Sequence, residues 1–223
     1  MNIIDYADRD MLAINVAQVV AGQLESVLFS HERASFAVPG GTTPGPIFDA
    51  LCAATLDWSR VHVMPTDERW VAEDDSRSNA RLIRKRLLTS RAEAATLVPF
   101  YRAGQTPEAA LDEIAESIAP YLPLSVLLLG MGEDMHTASI FAGAPGSAEA
   151  LDAAAPPLAV VTPETQPETR VTLTAPVLDG ALSKHLVIFG ASKRAALERA
   201  LTMPPEEAPV QAVLTDITVH WAE

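Results

Sequence analysis

The sequence predicts an α/β fold in which a single domain contains a mostly parallel sheet flanked by helices on both faces. Short apolar runs of strand length alternate with longer segments of helical apolar spacing along the whole chain. That alternation is typical of parallel sheets, whose strands are joined by crossover helices. The chain has 223 residues, enough for one large domain with a substantial core, and we find no internal repeat or linker.

A predicted helix and strand near the start of the chain lead into a glycine-rich turn. Residues 10–28 have helical apolar spacing, and residues 34–38 form a buried strand. Residues 39–44 (Pro-Gly-Gly-Thr-Thr-Pro) then form a turn before a second helix, with Thr42 or Thr43 as its cap. The start of a helix offers unpaired N–H groups to an anion, although a plain turn with a threonine cap explains the same residues.

A second strand, residues 61–64, ends in a charged cluster at residues 67–70 (Asp-Glu-Arg-Trp). One of residues 74–76 is predicted to cap the following helix. That helix carries a basic run at residues 84–86, which we interpret as a solvated helix face rather than a binding site.

The stretch around residues 126–141 concentrates most of the chemistry. Its apolar run, residues 126–129, is typical of a strand buried on both faces, and it stops at Gly130 and Gly132. A carboxylate, an imidazole and hydroxyl groups follow within residues 133–139. Because ligands of open α/β sheets bind at the carboxyl ends of strands, this position favours a functional site.

The remaining elements complete the alternation. Thr106 and Pro107 begin a helix, and residues 158–162 and 170–174 are short strand candidates. A further buried strand, residues 185–189, leads into a helix that begins near Gly190 and carries Lys193 in its first turn. Residues 217–221 close the chain as an edge strand or tail.

Four strand ends, at Gly40, Asp67, Gly130 and Gly190, therefore carry glycine or charged residues. One shared site explains this coincidence better than four unrelated turns, because the carboxyl ends of parallel strands lie at one edge of the sheet.

Composition limits the possible partners. A formal net charge of −13 argues against nucleic-acid binding, which needs a basic surface, but it permits a small anion held by a few local cations. No apolar run approaches bilayer length and no secretion signal is present, so we expect no membrane partner and a cytoplasmic location. Because the sequence contains a single cysteine, Cys52, an internal disulfide is excluded and a cysteine metal site is disfavoured.

At the four strand ends the sequence resembles the family of glucosamine-6-phosphate isomerases and 6-phosphogluconolactonases. The matching motifs lie in the same order from about Gly40 to Lys193. They are residues 39–44, residues 67–71 (Asp-Glu-Arg-Trp-Val) with Ser78 and Asn79, residues 129–141 (Leu-Gly-Met-Gly-Glu-Asp-Met-His-Thr-Ala-Ser-Ile-Phe), residues 170–174 (Arg-Val-Thr-Leu-Thr), Gly190 and Lys193.

The resemblance implies a Rossmann-like fold of the glucosamine-6-phosphate isomerase type and one lactonase domain over residues 1–223. It implies hydrolysis of 6-phospho-D-glucono-1,5-lactone, a step of the oxidative pentose phosphate pathway, with no cofactor and no metal. The expected partner is the small sugar phosphate, and the expected assembly is a monomer or weak homodimer. The expected site residues fall into two groups. They are His136, Asp134 and Arg69 for catalysis, and Gly40, Gly41, Thr42, Thr43, Asp67, Gly130, Gly132, Arg170 and Lys193 for substrate binding.

In the mechanism that we expect, His136 is the general base, since an unperturbed imidazole pKa near 6.5 suits proton transfer at neutral pH. Asp134 orients the imidazole, Arg69 stabilises the oxyanion or binds substrate oxygens, and Lys193 and Arg170 are candidates for the phosphate. The backbones around Gly40 and Gly130 would add N–H donors.

Two alternatives remain open. The isomerase branch usually has an acid where this chain has Phe141, and Asp-Glu-Tyr where it has Asp67-Glu68-Arg69, and both differences favour the lactonase. The family usually has glycine at the position of Met135, and a methionine would be strained there if the position needs positive φ. This departure leaves open a second alternative, a regulator that binds a sugar phosphate without catalysis. Metal and serine hydrolases are disfavoured, because no paired His ligands and no GxSxG motif are present.

Overall fold

The computed structural model describes residues 1–164 and 166–223. Among these residues, seven strands form a parallel sheet, which confirms the predicted fold class. Their order across the sheet is β1 (Asn2–Asp5), β10 (Thr218–Ala222), β9 (Ser183–Phe189), β6 (Val126–Gly130), β2 (Ala34–Val38), β3 (Val61–Pro65) and β5 (Thr96–Leu97).

A second, smaller sheet lies beside the first. It contains the antiparallel strands β4 (Asp67–Arg69), β8 (Arg170–Leu173) and β7 (Leu158–Val161), with β8 in the centre. The sequence predicted the strands β7 and β8 but not a separate sheet, since short strands carry no local signal that identifies their partners. This sheet matters for the site, because it carries two of the predicted site residues, Asp67 and Arg170, on neighbouring strands.

Helices cover both faces of the large sheet, as predicted. Three of them, α1 (Arg9–Ser30), α2 (Gly45–Leu51) and α3 (Asn79–Arg86), share one apolar core. The opposite core is formed by the small sheet with α4 (Pro107–Ile118), α5 (Ser147–Leu151), α6 (Ala175–Asp179) and α7 (Gly190–Ala200). Strand β2 shows the two-sided burial directly, since Phe36 and Val38 belong to the first core and Ala37 to the second.

Helix α1 is long and apolar enough to cross a membrane by length and composition alone. In this fold its apolar side is packed on the sheet, where Leu12, Val16, Val20 and Leu24 are fully buried. Its apolar composition is thus explained by a core position.

Helix starts were predicted with mixed success. Thr106 caps α4 as expected, since its Oγ1 accepts a hydrogen bond from the Ala109 amide. The threonine cap for α2 was wrong: Pro44 holds the cap position and no side chain caps that helix. Residues 74–76 do not cap α3 either. Ser78 does, because Asp75 is used in the preceding turn, where it accepts from the Arg77 amide.

The carboxyl-terminal strand β10 is not an edge strand, because it lies between β9 and β1. The edge is the amino-terminal strand β1, which the sequence analysis did not identify. Four residues with two adjacent isoleucines, Ile3 and Ile4, give too short a pattern to distinguish a strand from an irregular segment.

Two buried histidines connect β9 and β10 beneath α1. Nε2 of His220 lies 3.0 Å from Nδ1 of His185, and the outer ring nitrogens contact the Tyr6 hydroxyl and Oε1 of Gln23. Burial lowers the pKa of both imidazoles to about 4, and each has a hydrogen-bond partner on both ring nitrogens. Both rings are therefore neutral in the folded protein at neutral pH.

These histidines predict loss of stability in mild acid. Below about pH 6.5 the unfolded chain binds protons that the folded pair excludes until about pH 4, so the folded state loses stability as the pH falls through that range. Replacing His220 with Gln should flatten the decline in unfolding free energy between pH 6.5 and 4.5, measured by urea denaturation. The exposed His31→Gln serves as the control, and equal slopes for wild type and His220→Gln would contradict the prediction.

Candidate active site

A cavity of about 250 Å³ opens where the strands β9, β6, β2 and β3 end. Every residue predicted for the site lines it, apart from Asp134, which lies directly behind His136. The lining consists of Pro39, Gly40, Gly41, Thr42, Thr43, Pro44, Asp67, Arg69, Asn79, Gly130, Met131, Gly132, His136, Ala138, Arg170 and Lys193. The separate strand ends recognised in the sequence thus meet in one place.

His136 and Asp134 form a hydrogen-bonded pair at the rim of this cavity. The Asp134 Oδ1 and His136 Nδ1 atoms are 2.6 Å apart, and the bond to the imidazole holds the pKa of Asp134 below its usual value. An ionised carboxylate can only accept, so in the neutral imidazole Nδ1 carries the proton and Nε2 the lone pair. A Cβ on residue 132 would lie 2.2 Å from Asp134 Oδ1 and 2.3 Å from His136 Nδ1, so only Gly132 leaves room for the pair.

The loop that carries this pair is held by its own backbone. Met135 has φ of 65°, the left-handed region in which a side chain is unfavourable, and its carbonyl accepts a hydrogen bond from the Val210 amide. The position therefore has the conformation that favours the usual family glycine. The Gly132 amide donates to the His136 carbonyl at 3.0 Å, so this N–H is already used within the loop and is not the open donor expected from the sequence.

An aromatic ring lies between the imidazole and the nearest buried cation. The centroid of the Phe141 ring is 4.4 Å from that of His136 and 5.5 Å from Cζ of Arg170. The ring offers a face to the guanidinium and limits the positions open to the imidazole.

Among the described residues, three cations line the cavity of this acidic chain. Arg69 and Arg170 are direct cross-strand partners in the small sheet, and Lys193 lies in the first turn of α7. Like charges in directly opposite positions repel each other, and the Arg69 charge contributes to lowering the pKa of Arg170 after the larger effect of burial. Burial also lowers the pKa of Lys193. An anion in the cavity would relieve these costs.

Asp67 partly balances this charge. Its Oδ2 accepts a hydrogen bond from Ser139 Oγ and lies 3.7 Å from Arg170 Nη1, while its Oδ1 accepts from Thr66 Oγ1 at 3.0 Å. Because these groups are buried, the carboxylate is fixed in position. Asp67 therefore holds Arg170 in place at the wall of the cavity, which Asp67 also lines.

The turn after β2 supplies backbone donors. Across the part of the chain that the structure describes, the N–H groups of Gly40, Gly41, Thr42 and Thr43 donate no hydrogen bond to the protein. All four residues line the cavity. Unpaired N–H groups in such a turn can stabilise a negatively charged oxygen.

The buried Glu68 joins the small sheet to α3. Its carboxylate accepts from the amides of Arg69 at 2.9 Å, Asn79 at 2.8 Å and Ala80 at 2.8 Å, and from Ser78 Oγ at 3.2 Å. Burial raises the pKa of Glu68 to about 7, and the amide donors oppose that rise. Glu68 thereby fixes the start of α3 against the site.

Sequence reasoning did not assign several residues that shape the cavity. Asn79 lines it, Ser139 holds Asp67 and Glu68 positions Asn79. Ser78 and Asn79 were part of the resemblance, but nothing in the local pattern indicates that the start of α3 faces the site. Within residues 1–164 and 166–223, no group of three or more His, Cys, Asp or Glu side chains is arranged to hold a metal ion.

An open α/β sheet whose strand ends gather cations, a carboxylate and an Asp–His pair is typical of enzymes that act on small anions. The chain belongs to the family of glucosamine-6-phosphate isomerases and 6-phosphogluconolactonases, whose family model matches residues 7–221.

Known relatives agree with this assignment. A 6-phosphogluconolactonase of Pseudomonas aeruginosa is 40% identical over 222 residues, covering 94% of this chain and 90% of that protein. One from Mesorhizobium japonicum is 39% identical over 226 residues, 97% of this chain and 93% of that protein. The crystal structure of a 6-phosphogluconolactonase from Shewanella baltica, 31% identical, superposes with a TM-score of 0.96 over 100% of this chain and 98% of that one.

The raised pKa of Glu68 predicts that Glu68→Gln gains stability relative to the wild type as the pH rises from about 4.5 to about 7. Over that range the unfolded chain releases a proton that the folded carboxyl keeps, so the wild type loses stability that the neutral variant retains. The measurement is urea denaturation at pH 4.5 and at pH 8. The matched control is Glu73→Gln, which alters an exposed ion pair with Arg84 and should change the unfolding free energy by less than about 1 kcal/mol at both pH values. If Glu68→Gln differed from the wild type by the same amount at both pH values, this account of the buried carboxyl would be refuted.

Proposed function

We propose that this protein hydrolyses 6-phospho-D-glucono-1,5-lactone to 6-phospho-D-gluconate, within the oxidative pentose phosphate pathway. The relatives named above are 6-phosphogluconolactonases, and each aligns with nearly the whole of this chain. The observation that carries the proposal is the Asp134–His136 pair at the rim of the cavity that Arg69, Arg170 and Lys193 also line. A base and a set of cations in one cavity suit a substrate with both a reactive carbonyl and a phosphate.

In this proposal His136 is the general base. Its Nε2 takes a proton from a water molecule as the water oxygen bonds to the lactone carbonyl carbon, which forms a tetrahedral oxyanion. When the oxyanion collapses, the bond from that carbon to the ring oxygen breaks and the imidazolium returns its proton to the ring oxygen. Asp134 keeps the proton on Nδ1 and stabilises the imidazolium, as a carboxylate does for histidine in other hydrolases.

The cations and the turn after β2 have the electrostatic roles. Arg69 is anchored by a hydrogen bond from Nη1 to the Arg77 carbonyl at 2.7 Å, which fixes its charge where it can stabilise the oxyanion or bind substrate oxygens. Lys193 and Arg170 are the groups proposed to hold the phosphate. The unpaired N–H groups of residues 40–43 supply further donors to these anionic oxygens.

The isomerase or deaminase reaction and a purely regulatory role receive no specific support from the geometry. Phe141 occupies the place beside His136 where the isomerase branch usually has an acid. The complete Asp134–His136 pair argues against a binding protein that has lost its base, and Met135 is accommodated in the loop without displacing that pair.

The wider assignments are part of the same proposal. Residues 1–223 form one lactonase domain, which acts as a monomer or weak homodimer in the cytoplasm without a cofactor. The net charge of −13 disfavours both nucleic-acid binding and extensive self-association.

The proposal predicts that purified protein hydrolyses fresh 6-phosphogluconolactone faster than the spontaneous background. His136→Ala should lower turnover at least about 100-fold, because proton transfer to the base is lost. Lactone hydrolysis is followed by acid release, and a parallel incubation with glucosamine 6-phosphate is followed by ammonia release.

The exposed His31→Ala is the matched control and should keep wild-type turnover, and both variants should unfold cooperatively. A wild-type rate equal to background would overturn the proposed reaction, whereas turnover of glucosamine 6-phosphate would assign the isomerase reaction instead. Near-normal turnover by folded His136→Ala would remove only the base assignment.

A further inference from the structure

Hydrogen bonds and burial fix the orientation of Asn79 at the wall of the cavity. It is the first residue of α3, it is 2% exposed, and its backbone N–H donates to Glu68. Its side-chain Nδ2 donates to the main-chain carbonyl of Asp67 at 2.7 Å. A carbonyl accepts only from a donor, so the nitrogen must face Asp67 and Oδ1 must face the other way.

Oδ1 points toward the turn after β2, where Gly40 makes room for it. A Cβ on residue 40 would lie 1.9 Å from Oδ1 and 2.4 Å from Cγ of Asn79. Gly40 does not have a positive φ, so glycine is required here by the close approach of the amide and not by the backbone conformation.

Within the described part of the chain, Oδ1 accepts no hydrogen bond from the protein. Two side-chain atoms in the described residues are both fully enclosed and without a hydrogen-bond partner, Nδ1 of His62 and Nε of Arg170. Oδ1 of Asn79 is not one of them although it has no partner, so it is accessible from the cavity that Asn79 lines. An acceptor in so buried a residue is costly unless a ligand or water donates to it.

The chemistry of the cavity indicates which ligand group meets this oxygen. Arg69, Arg170, Lys193 and the backbone amides are donors, and they suit phosphate and carbonyl oxygens. The Asp67 carboxylate is already engaged with Ser139 and Thr66. Oδ1 of Asn79 is a neutral acceptor in a fixed position, which suits a hydroxyl donor.

We propose that Asn79 determines specificity by accepting a hydrogen bond at Oδ1 from one ring hydroxyl of the substrate. The inference rests on the proposed lactone hydrolysis and deepens it: the site selects a hydroxylated ring as well as a phosphate. Gly40 and the Asp67 carbonyl act together as positioning groups that present this acceptor.

The test compares kcat/KM for 6-phosphogluconolactone with that for its 2-deoxy, 3-deoxy and 4-deoxy analogues. Wild type should discriminate against one analogue by roughly ten- to hundredfold, since an unpaired buried acceptor is left without its donor. Asn79→Ala should lose activity on the parent lactone and bring that one ratio close to one. Gly40→Ala, whose new Cβ displaces the amide from the opposite side, should weaken the same ratio.

Ser78→Ala is the matched control, because it disturbs the start of α3 next to Asn79 without lining the cavity, and it should keep the wild-type ratios. A purely structural role would lower kcat/KM for all four lactones equally in Asn79→Ala, and that result overturns the inference while the proposed reaction stands. Equal kcat/KM values of the wild type for the parent lactone and all three deoxy analogues would also overturn the inference. A wild type inactive on the parent lactone would defeat the proposed function, and the inference with it.

Discussion

The burial of two carboxylates on β4 is the constraint from which the geometry of the site follows. Glu68 collects three backbone amides and a hydroxyl, and this fixes the first turn of α3 against the small sheet. Asp67, next to it, fixes Ser139 and Arg170. A buried carboxylate is tolerated only with its hydrogen bonds satisfied, so the same bonds that make burial possible also position the residues around the cavity.

The cavity is rich in positive charge, whereas the molecule as a whole is negatively charged. The chain as a whole is strongly acidic, yet the described lining of the cavity combines the cations of Arg69, Arg170 and Lys193 with the carboxylate of Asp67. Placing Arg69 opposite Arg170 weakens the small sheet, and burying Lys193 lowers its pKa. Such costs are typical of functional sites, where stability is given up for a prepared electrostatic environment.

The sequence indicated the main sheet, its covering helices and the residues of the cavity wherever the signal was local. A buried run followed by glycine or charge marks a strand end, and residues 126–132 show it clearly. Signals that depend on distant partners were missed: the second sheet, the edge position of β1, and the approach of Asn79 to Gly40. The predicted caps of α2 and α3 were wrong. The turn that uses Asp75 and the contact of α3 with the buried Glu68 cannot be recognised from neighbouring residues.

We propose that one cavity holds the reacting carbonyl carbon beside His136 and the phosphate among the cations. A crystal structure of the complex with the product, 6-phosphogluconate, would locate both groups. We expect the product carboxylate within hydrogen-bond distance of Nε2 of His136, and the phosphate in contact with Lys193 or Arg170. A product bound in the reverse orientation, with its phosphate at the imidazole, or bound outside this cavity, would contradict it.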